Sequence, residues 1–198
     1  MKITSAEFEV SSPDIRTAPR LVRPEFAFIG RSNVGKSSLI NLLTEKRDLA
    51  RVSDKPGKTR LLNFFVINGK WRLVDLPGYG YAHVAKSERF KFNVAVADFL
   101  ENRESLRHTY LLIDSRLEPQ KIDVDFIGWL VGAKVSFSLI FTKTDKQSAN
   151  LTNTSVERFK RTALAGLGVE PRIFISSSKT KAGRKDILAD ITARLAAV

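Results

Sequence analysis

The chain has 198 residues, of which 33 are Lys or Arg and 21 are Asp or Glu, giving a formal net charge of +12 at pH 7. With 43% hydrophobic residues it can build a core of its own, so we expect one globular domain and exclude a disordered or fibrous chain. The absence of cysteine excludes disulfides, thiolate metal sites and cysteine nucleophiles, and no segment resembles a signal peptide or a membrane span, so we expect a cytoplasmic protein.

Apolar runs of strand length alternate with segments of helical length, which predicts an α/β fold with helices on both faces of a mostly parallel sheet. Buried strands are expected at 26–29, 110–113, 137–141 and 172–175. Helices are expected at 36–44, 87–101, 123–131, 156–165 and 184–196, and a loop at 143–153. Between residues 62 and 74, two β-rich runs flank Asn68-Gly69, a hairpin signal that adds one antiparallel strand. We therefore predict a three-layer domain at 25–198 with six strands, and an N-terminal extension, 1–24, packed on it.

The sequence GRSNVGKS, residues 30–37, follows the first of these strands and fits the phosphate-loop pattern GxxxxGK[ST]. Its glycines let successive N–H groups turn toward an anion, Lys36 can reach the terminal phosphates, and Ser37 can ligate Mg²⁺. A glycine-rich turn without a ligand is the alternative, but the strand before it and the apolar helical pattern after it favour a nucleotide. The candidate binding residues here are Gly30, Arg31, Ser32, Asn33, Val34, Gly35, Lys36, Ser37 and Ser38.

Two further segments can contact the terminal phosphate. Thr59 lies in a charged Pro-Gly loop at 53–60 and can close over Mg²⁺ and the γ-phosphate, although a plain flexible loop is the alternative. Asp75 ends the second strand of the predicted hairpin and can hold Mg²⁺ through water, while the Gly78 N–H can meet the γ-phosphate. A strand end followed by a turn is the alternative for this DxxG motif. The candidate binding residues are Gly57, Lys58, Thr59, Arg60, Leu61, Asp75, Leu76, Pro77 and Gly78.

The choice of base is predicted by two motifs near the end of the chain. Thr142, Lys143, Thr144 and Asp145 match [NT]KxD after an apolar strand. The carboxylate of Asp145 can accept from the N1–H and N2–H₂ groups of guanine, whereas adenine has a lone pair at N1 and no N2 donor. An N-cap loop is the alternative. After the last strand, Ile175, Ser176, Ser177 and Ser178 can offer backbone N–H groups to the guanine O6.

The four strand-end motifs should meet, because open α/β sheets bind ligands at the carboxyl ends of their strands. Their sequences resemble those of the EngB (YihA or YsxC) family of bacterial ribosome-assembly GTPases. The matching pieces are GRSNVGKSSLIN at 30–41, PGKT at 56–59, DLPGYGYA at 75–82, TKTD at 142–145 and SSSK at 176–179. The resemblance implies a Ras-like G domain of the P-loop NTPase class that binds GTP and GDP, with Mg²⁺ on Ser37 and Thr59.

The resemblance also implies a role in maturation of the large (50S) ribosomal subunit, with defects in division and septation when the protein is lost. We expect a monomer whose partners are guanine nucleotide and the large-subunit precursor or its rRNA. A net excess of basic residues at 158–185 predicts a polyanionic partner, although a soluble basic surface is the alternative. A different function is a constitutive rRNA-binding module whose nucleotide site is merely structural.

The hydrolysis machinery departs from the Ras pattern. Tyr79 follows DxxG where Ras-like enzymes place a Gln that orients water, so slow turnover is expected. Asn33 resembles the residue that holds K⁺ in potassium-dependent relatives, but turn geometry explains an Asn there equally well; hydrolysis rates in K⁺ and in Na⁺ distinguish the two. The candidate catalytic residues are Lys36, Thr59, Gly78 and Asn33.

The remaining aromatic and histidine residues carry weaker signals. His83 and His108 are expected in surface or loop positions rather than as metal ligands. Tyr79 and Tyr81 are candidates for base stacking in an exposed loop, or for packing within a switch segment. These alternatives stay open at the level of sequence.

Overall fold

The computed structural model describes residues 1–50, 61–79 and 86–197. The strands in these ranges are β1 (Ala6–Ser12), β2 (Glu25–Gly30), β3 (Leu62–Ile67), β4 (Trp71–Asp75), β5 (Leu106–Asp114), β6 (Phe137–Thr142) and β7 (Ile173–Ile175). The α-helices are α1 (Lys36–Thr44), α2 (Lys86–Asn102), α3 (Lys121–Gly132), α4 (Ala149–Phe159) and α5 (Arg184–Ala196). None of these helices is both long enough and apolar enough to cross a bilayer.

The strands form one sheet in the order β1-β3-β4-β2-β5-β6-β7. Strand β3 runs antiparallel to both of its neighbours, and the other pairs are parallel. The predicted mostly parallel sheet with one reversed strand is therefore confirmed. A strand in the N-terminal segment was not predicted: β1 adds a seventh strand beside β3, where Ala6 faces Ile67 and Ser12 faces Leu62.

Helices cover both faces of the sheet because each face is lined by apolar side chains. Helices α1 and α5 bury i, i+1 and i+4 positions, such as Ile187, Leu188 and Ile191, against Phe28 on one face. Helices α2, α3 and α4 pack on the other face, where Phe99 and its neighbours form a second cluster. The two clusters fix the sheet between two helical layers, as the sequence predicts.

The prediction for the 143–165 region was wrong at its boundaries. Helix α4 begins at Ala149 rather than at 156, because Ser148 caps it: its hydroxyl accepts a hydrogen bond from the Leu151 amide at 3.3 Å. The segment Lys160–Leu164 then continues as one π-helical turn. Residues 143–153 are thus only partly loop.

Buried charges stabilise the edge of the sheet at which β2 begins. The Glu25 side chain is fully buried and accepts from Arg103 at 2.8 and 2.9 Å and from Arg72 at 3.3 Å. Arg72 also makes a bidentate pair with Glu9 of β1, at 2.7 and 3.0 Å. Hydrogen bonding to Arg72 is the main reason why the pKa of Glu9 lies below its ordinary value, although partial burial of Glu9 opposes this shift.

The same two guanidinium groups bind the chain that leads from β1 to β2. Arg72 donates to the carbonyl of Arg20 at 2.8 Å, and Arg103 donates to the carbonyl of Pro19 at 2.6 Å. The N-terminal residues are therefore attached to the sheet both by β1 and by this ionic cluster.

Candidate nucleotide-binding site

The sheet brings four of the predicted motifs to one edge. Strands β4, β2, β5, β6 and β7 are parallel neighbours, so the loops that follow their carboxyl ends lie together. These loops carry residues 30–37, 75–78, 142–145 and 175–178. The predicted contacts Gly57, Lys58, Thr59 and Arg60 lie outside the described residues, and Leu61 is an exposed residue just before β3.

Of the two glycines of the phosphate loop, Gly35 has the positive φ that the motif predicts and Gly30 does not. Gly35 has a φ of 103°, a left-handed conformation that favours glycine, and it immediately precedes α1. No side chain caps this helix, so its first amides and its dipole are available to an anion. Asn33 also has a positive φ, 60°. Asn tolerates this conformation better than most residues, which favours the turn-geometry interpretation of Asn33.

The TKTD motif forms hydrogen bonds with the phosphate loop. The Thr142 hydroxyl donates to the carbonyl of Val34 at 2.6 Å. The Lys143 ammonium donates to the carbonyl of Asn33 and to Asp114 Oδ2, the latter at 2.9 Å. Residues 142–143 therefore hold the phosphate loop in place as well as contributing to the edge of the site.

Asp114, at the end of β5, is a site residue that the motif analysis missed. Its carboxylate joins Lys143 to Arg116, which donates at 2.8 and 2.9 Å. Burial works to raise the pKa of Asp114, but the hydrogen bonds from Arg116 and Lys143 outweigh it and hold the pKa below its ordinary value. Asp114 is thus a carboxylate that fixes the lysine of the TKTD motif.

The phosphate-binding lysine and the predicted magnesium carboxylate are direct neighbours. Lys36 Nζ forms an ion pair with Asp75 Oδ1, and both side chains are largely buried. Ser37 stands beside Lys36 at the start of α1. One carboxylate and one hydroxyl suit Mg²⁺, which usually takes few protein ligands and completes its shell with phosphates and water. No larger cluster of acidic or histidine ligands occurs among the side chains described within 1–50, 61–79 and 94–197.

The two base motifs are joined by hydrogen bonds. The Ser177 hydroxyl donates to Asp145 Oδ1 at 2.7 Å. The Thr144 amide and hydroxyl both donate to the carbonyl of Ser176, at 3.4 and 3.2 Å. Ser177 itself is buried, whereas Ser178 is exposed. The hydrogen bond from Ser177 lowers the pKa of Asp145. The structure therefore presents an ionised carboxylate, fixed in direction, next to the serine loop.

The histidine prediction was wrong for His108. Its imidazole is 2% exposed and lies 2.8 Å from the hydroxyls of both Ser136 and Ser138. Burial lowers the pKa of His108 to about 3, with a further contribution from the positive charge of Arg194. It is a neutral buried residue rather than a surface one. His83 and Tyr81 lie outside the described residues.

Comparison with known proteins agrees with this geometry. A family model described as a 50S ribosome-binding GTPase matches residues 25–143. The probable GTP-binding protein EngB of Christiangramia forsetii is 47% identical over 188 residues, 95% of each chain. Its counterpart in Bacteroides thetaiotaomicron is 48% identical over 188 residues, which are 95% of this chain and 93% of that one.

The fold has a solved counterpart as well. A crystal structure of a probable GTP-binding protein EngB superposes with a TM-score of 0.68 at 24% identity, covering 88% of this chain and 100% of that one. At 24% identity this likeness shows the fold alone, and the family is assigned from the relatives that are 47% and 48% identical in sequence. The chain therefore belongs to the EngB family of GTP-binding proteins and is a GTPase.

Proposed function

We propose that this GTPase is a monomeric GTP/GDP switch that acts on the large (50S) ribosomal subunit precursor in the cytoplasm, and that division and septation depend on it. The observation that supports the proposal is that Lys36, Asp75 and Asp145 all lie at the carboxyl ends of the parallel strands. Lys36 and Asp75 form an ion pair, and Asp145 accepts a hydrogen bond from Ser177. We also propose that 25–198 form a single G domain and that 1–24 are an extension bound to it.

Each residue of the site has its own task in this proposal. Lys36 draws the terminal phosphates into the loop and balances the charge that grows on them as the bond to the γ-phosphate breaks. Ser37 and Asp75, the latter through water, fit Mg²⁺, which when bound supplies further positive charge. Gly78 offers its N–H to the γ-phosphate. The Tyr79 side chain has no amide group to align the attacking water, so we propose a low intrinsic rate of GTP hydrolysis.

The base is selected by complementary hydrogen-bond donors and acceptors. Asp145 would accept from the two guanine N–H positions. The predicted contact of the 175–178 backbone with O6 narrows to the Ser178 amide, because the amides of Ser176 and Ser177 already donate to the carbonyls of Phe141 and Ala182. Thr59 and its loop would complete the contacts to Mg²⁺ and the γ-phosphate. K⁺ at Asn33 stays the alternative to a purely geometric role for that residue.

Removing the Ser177 hydroxyl is expected to shift the pH dependence of GDP binding. Guanine requires the ionised Asp145, so affinity falls as the pH drops through the pKa of this carboxyl. Ser177→Ala removes the hydrogen bond that lowers that pKa, so the acid midpoint should move to higher pH. Affinity at neutral pH should fall at least about fivefold, since the hydrogen bond to Asp145 is lost together with those that the hydroxyl accepts from the amides of Lys179 and Thr180. Titration calorimetry across pH measures both effects.

The exposed neighbour gives the control for that experiment. Ser178→Ala keeps the backbone N–H that the proposal assigns to O6 and removes only an exposed hydroxyl, so both the midpoint and the neutral-pH affinity should stay unchanged. A Ser177→Ala protein with the unmodified pH profile would show that the hydroxyl does not tune Asp145.

Charge supports a ribosomal partner, but only part of the basic stretch at 158–185 is available for one. Several of its members are already paired: Arg158 with Glu118, Lys160 with Glu157, Arg172 with Asp190, and Arg184 with Glu45. Others are exposed and form no salt bridge with an acidic side chain in the described part of the chain, namely Arg161, Lys179, Lys181 and Lys185. Exposed cations neutralise rRNA phosphates with release of counterions, so we assign the electrostatic contact to this second group.

Co-sedimentation with 50S precursors tests the switch. With a non-hydrolysable GTP analogue we expect more protein in the particle fraction than with GDP, and the bound fraction should fall steeply with salt. Lys181→Glu with Lys185→Glu should weaken binding strongly. The matched reversal Lys121→Glu with Lys160→Glu alters cations that already have acidic partners, and should weaken it less. Equal binding with GTP analogue, GDP and no nucleotide would instead establish the constitutive rRNA-binding module.

A further inference from the structure

The residue immediately after the DxxG motif is anchored to helix α3. Tyr79 is 8% exposed, and its hydroxyl donates to Asp123 Oδ1 at 2.7 Å. Its ring stacks on Phe126, with centroids 4.4 Å apart and planes 20° apart. Asp123 and Phe126 are three residues apart on α3 and so share one face of it. The sequence left exposure or packing open for Tyr79, and the structure shows packing.

The anchor continues along α3 as a column of rings. Phe126 stacks on Trp129, with centroids 5.6 Å and planes 27° apart. We name Tyr79, Phe126 and Trp129 the aromatic column. Trp129 is half-buried, so the column runs from the end of the DxxG motif to the surface of the protein. A displacement at Tyr79 therefore changes the surroundings of a tryptophan.

On its other side, the same segment touches the phosphate loop. A Cβ atom on Gly78 would lie 2.9 Å from the carbonyl oxygen of Gly30 and 3.3 Å from the amide nitrogen of Ser32, so only glycine fits there. The backbones of Tyr79 and Arg31 form a parallel β-bridge. Gly78 is thus held between the phosphate loop and a side chain bound to α3, and it cannot shift without disturbing one of them.

The Tyr79 anchor is costly to break. Asp123 is 4% exposed, and burial raises its pKa, an effect that the hydrogen bond from Tyr79 opposes. Without this hydroxyl, a buried carboxyl would lose its hydrogen-bond donor, which is unfavourable. The hydrogen bond therefore opposes any displacement of the Tyr79 side chain from α3.

We propose that Tyr79 is a positioning residue for the γ-phosphate: bound to Asp123 and Phe126, it keeps Gly78 against the phosphate loop, where the Gly78 N–H meets GTP and not GDP. This inference rests on the nucleotide site proposed above. It also makes the aromatic column the route by which nucleotide state reaches the surface of α3.

The test is the ratio of affinities for a non-hydrolysable GTP analogue and for GDP, measured by calorimetry on the full chain. Tyr79→Phe keeps the ring and removes the hydroxyl. We expect the analogue to bind about tenfold more weakly while GDP affinity changes by less than about twofold, because one buried hydrogen bond to a carboxylate is lost.

Tyr110→Phe is the matched control. The Tyr110 hydroxyl also donates to a buried carboxylate at 2.7 Å, that of Asp190, but it belongs to the apolar cluster on the opposite face of the sheet. Its removal should leave the ratio unchanged. Three results for Tyr79→Phe would each overturn the proposal: an affinity ratio equal to that of the unaltered protein, an equal loss of affinity for both nucleotides, or a higher affinity for the analogue.

Trp129 supplies a second measurement. In a Trp71→Phe background, Trp129 is the remaining tryptophan, and its emission should differ between GTP analogue and GDP. Tyr79→Phe should reduce that difference, and an undiminished difference would contradict the column as the route. Failure of the unaltered protein to bind either guanine nucleotide would instead disprove the proposed function, so the two failures are distinguishable.

Discussion

Replacing Asp145 by Asn is expected to weaken GDP binding by about 3 kcal/mol, roughly a hundredfold, because two hydrogen bonds to a charged acceptor are lost or weakened. The Asn amide can accept from guanine through its oxygen, but its NH₂ group then faces the N2 amino group of the base, donor against donor. Xanthine carries an oxygen at that position, so the variant should prefer xanthosine diphosphate. Competition between the two diphosphates, followed by calorimetry, measures the exchange of preference.

The control is an exposed carboxylate at a different place in the fold. Asp125 on α3 pairs with the exposed Lys121, so Asp125→Asn should leave both affinities unaltered. If Asp145→Asn held both diphosphates as the unaltered protein does, this carboxylate would not read the base, and the assignment of the guanine site would be wrong.

The second large effect is expected on stability, at the end of the sheet where β2 begins, opposite the nucleotide site. Glu25→Ala should lower the free energy of unfolding by about 3 to 5 kcal/mol, because it leaves the buried guanidinium of Arg103 without its carboxylate and removes one partner of Arg72. Urea denaturation followed by far-UV circular dichroism measures the change.

An exposed ion pair provides the comparison. The Lys121 and Asp125 side chains are 87% and 59% exposed, so Asp125→Ala should cost less than about 1 kcal/mol. Equal costs for Glu25→Ala and Asp125→Ala would show that the ionic cluster around Glu25 adds nothing to stability.

The sequence predicted those features that depend on neighbouring residues. The phosphate loop, DxxG and TKTD each lie within a few residues of a strand end, so their place at the carboxyl edge follows from strand order alone. The nearness of Asp145 to the 175–178 loop follows in the same way, because these two segments come directly after the neighbouring parallel strands β6 and β7.

Hydrogen bonds between side chains from distant parts of the chain were not predicted. Asp114 reaches Lys143 across 29 residues, and Tyr79 reaches Asp123 across 44. No local pattern marks such pairs, because each partner reads as an ordinary polar residue until the fold brings them together. Asp123, for instance, lies in the first turn of a helix, where an acidic side chain is common whatever its contacts.

Strand β1 was overlooked although its signal is present. Residues 7–10 alternate charged and apolar side chains, which is a strand pattern, but Phe8 is 55% exposed and the apolar set is small. The start of α4 was missed because its first turns are polar. Both errors concern elements whose burial is slight, where hydrophobic periodicity is weakest.

The place of β1 has a consequence for how copies of this protein meet. As the outermost strand it presents free backbone groups, which could template an added strand from another molecule and lead to aggregation. A bulge between Phe8 and Val10 interrupts the regular ladder, and the exposed carboxylate of Glu7 adds like-charge repulsion between neighbours. This edge thus discourages the growth of a sheet between molecules.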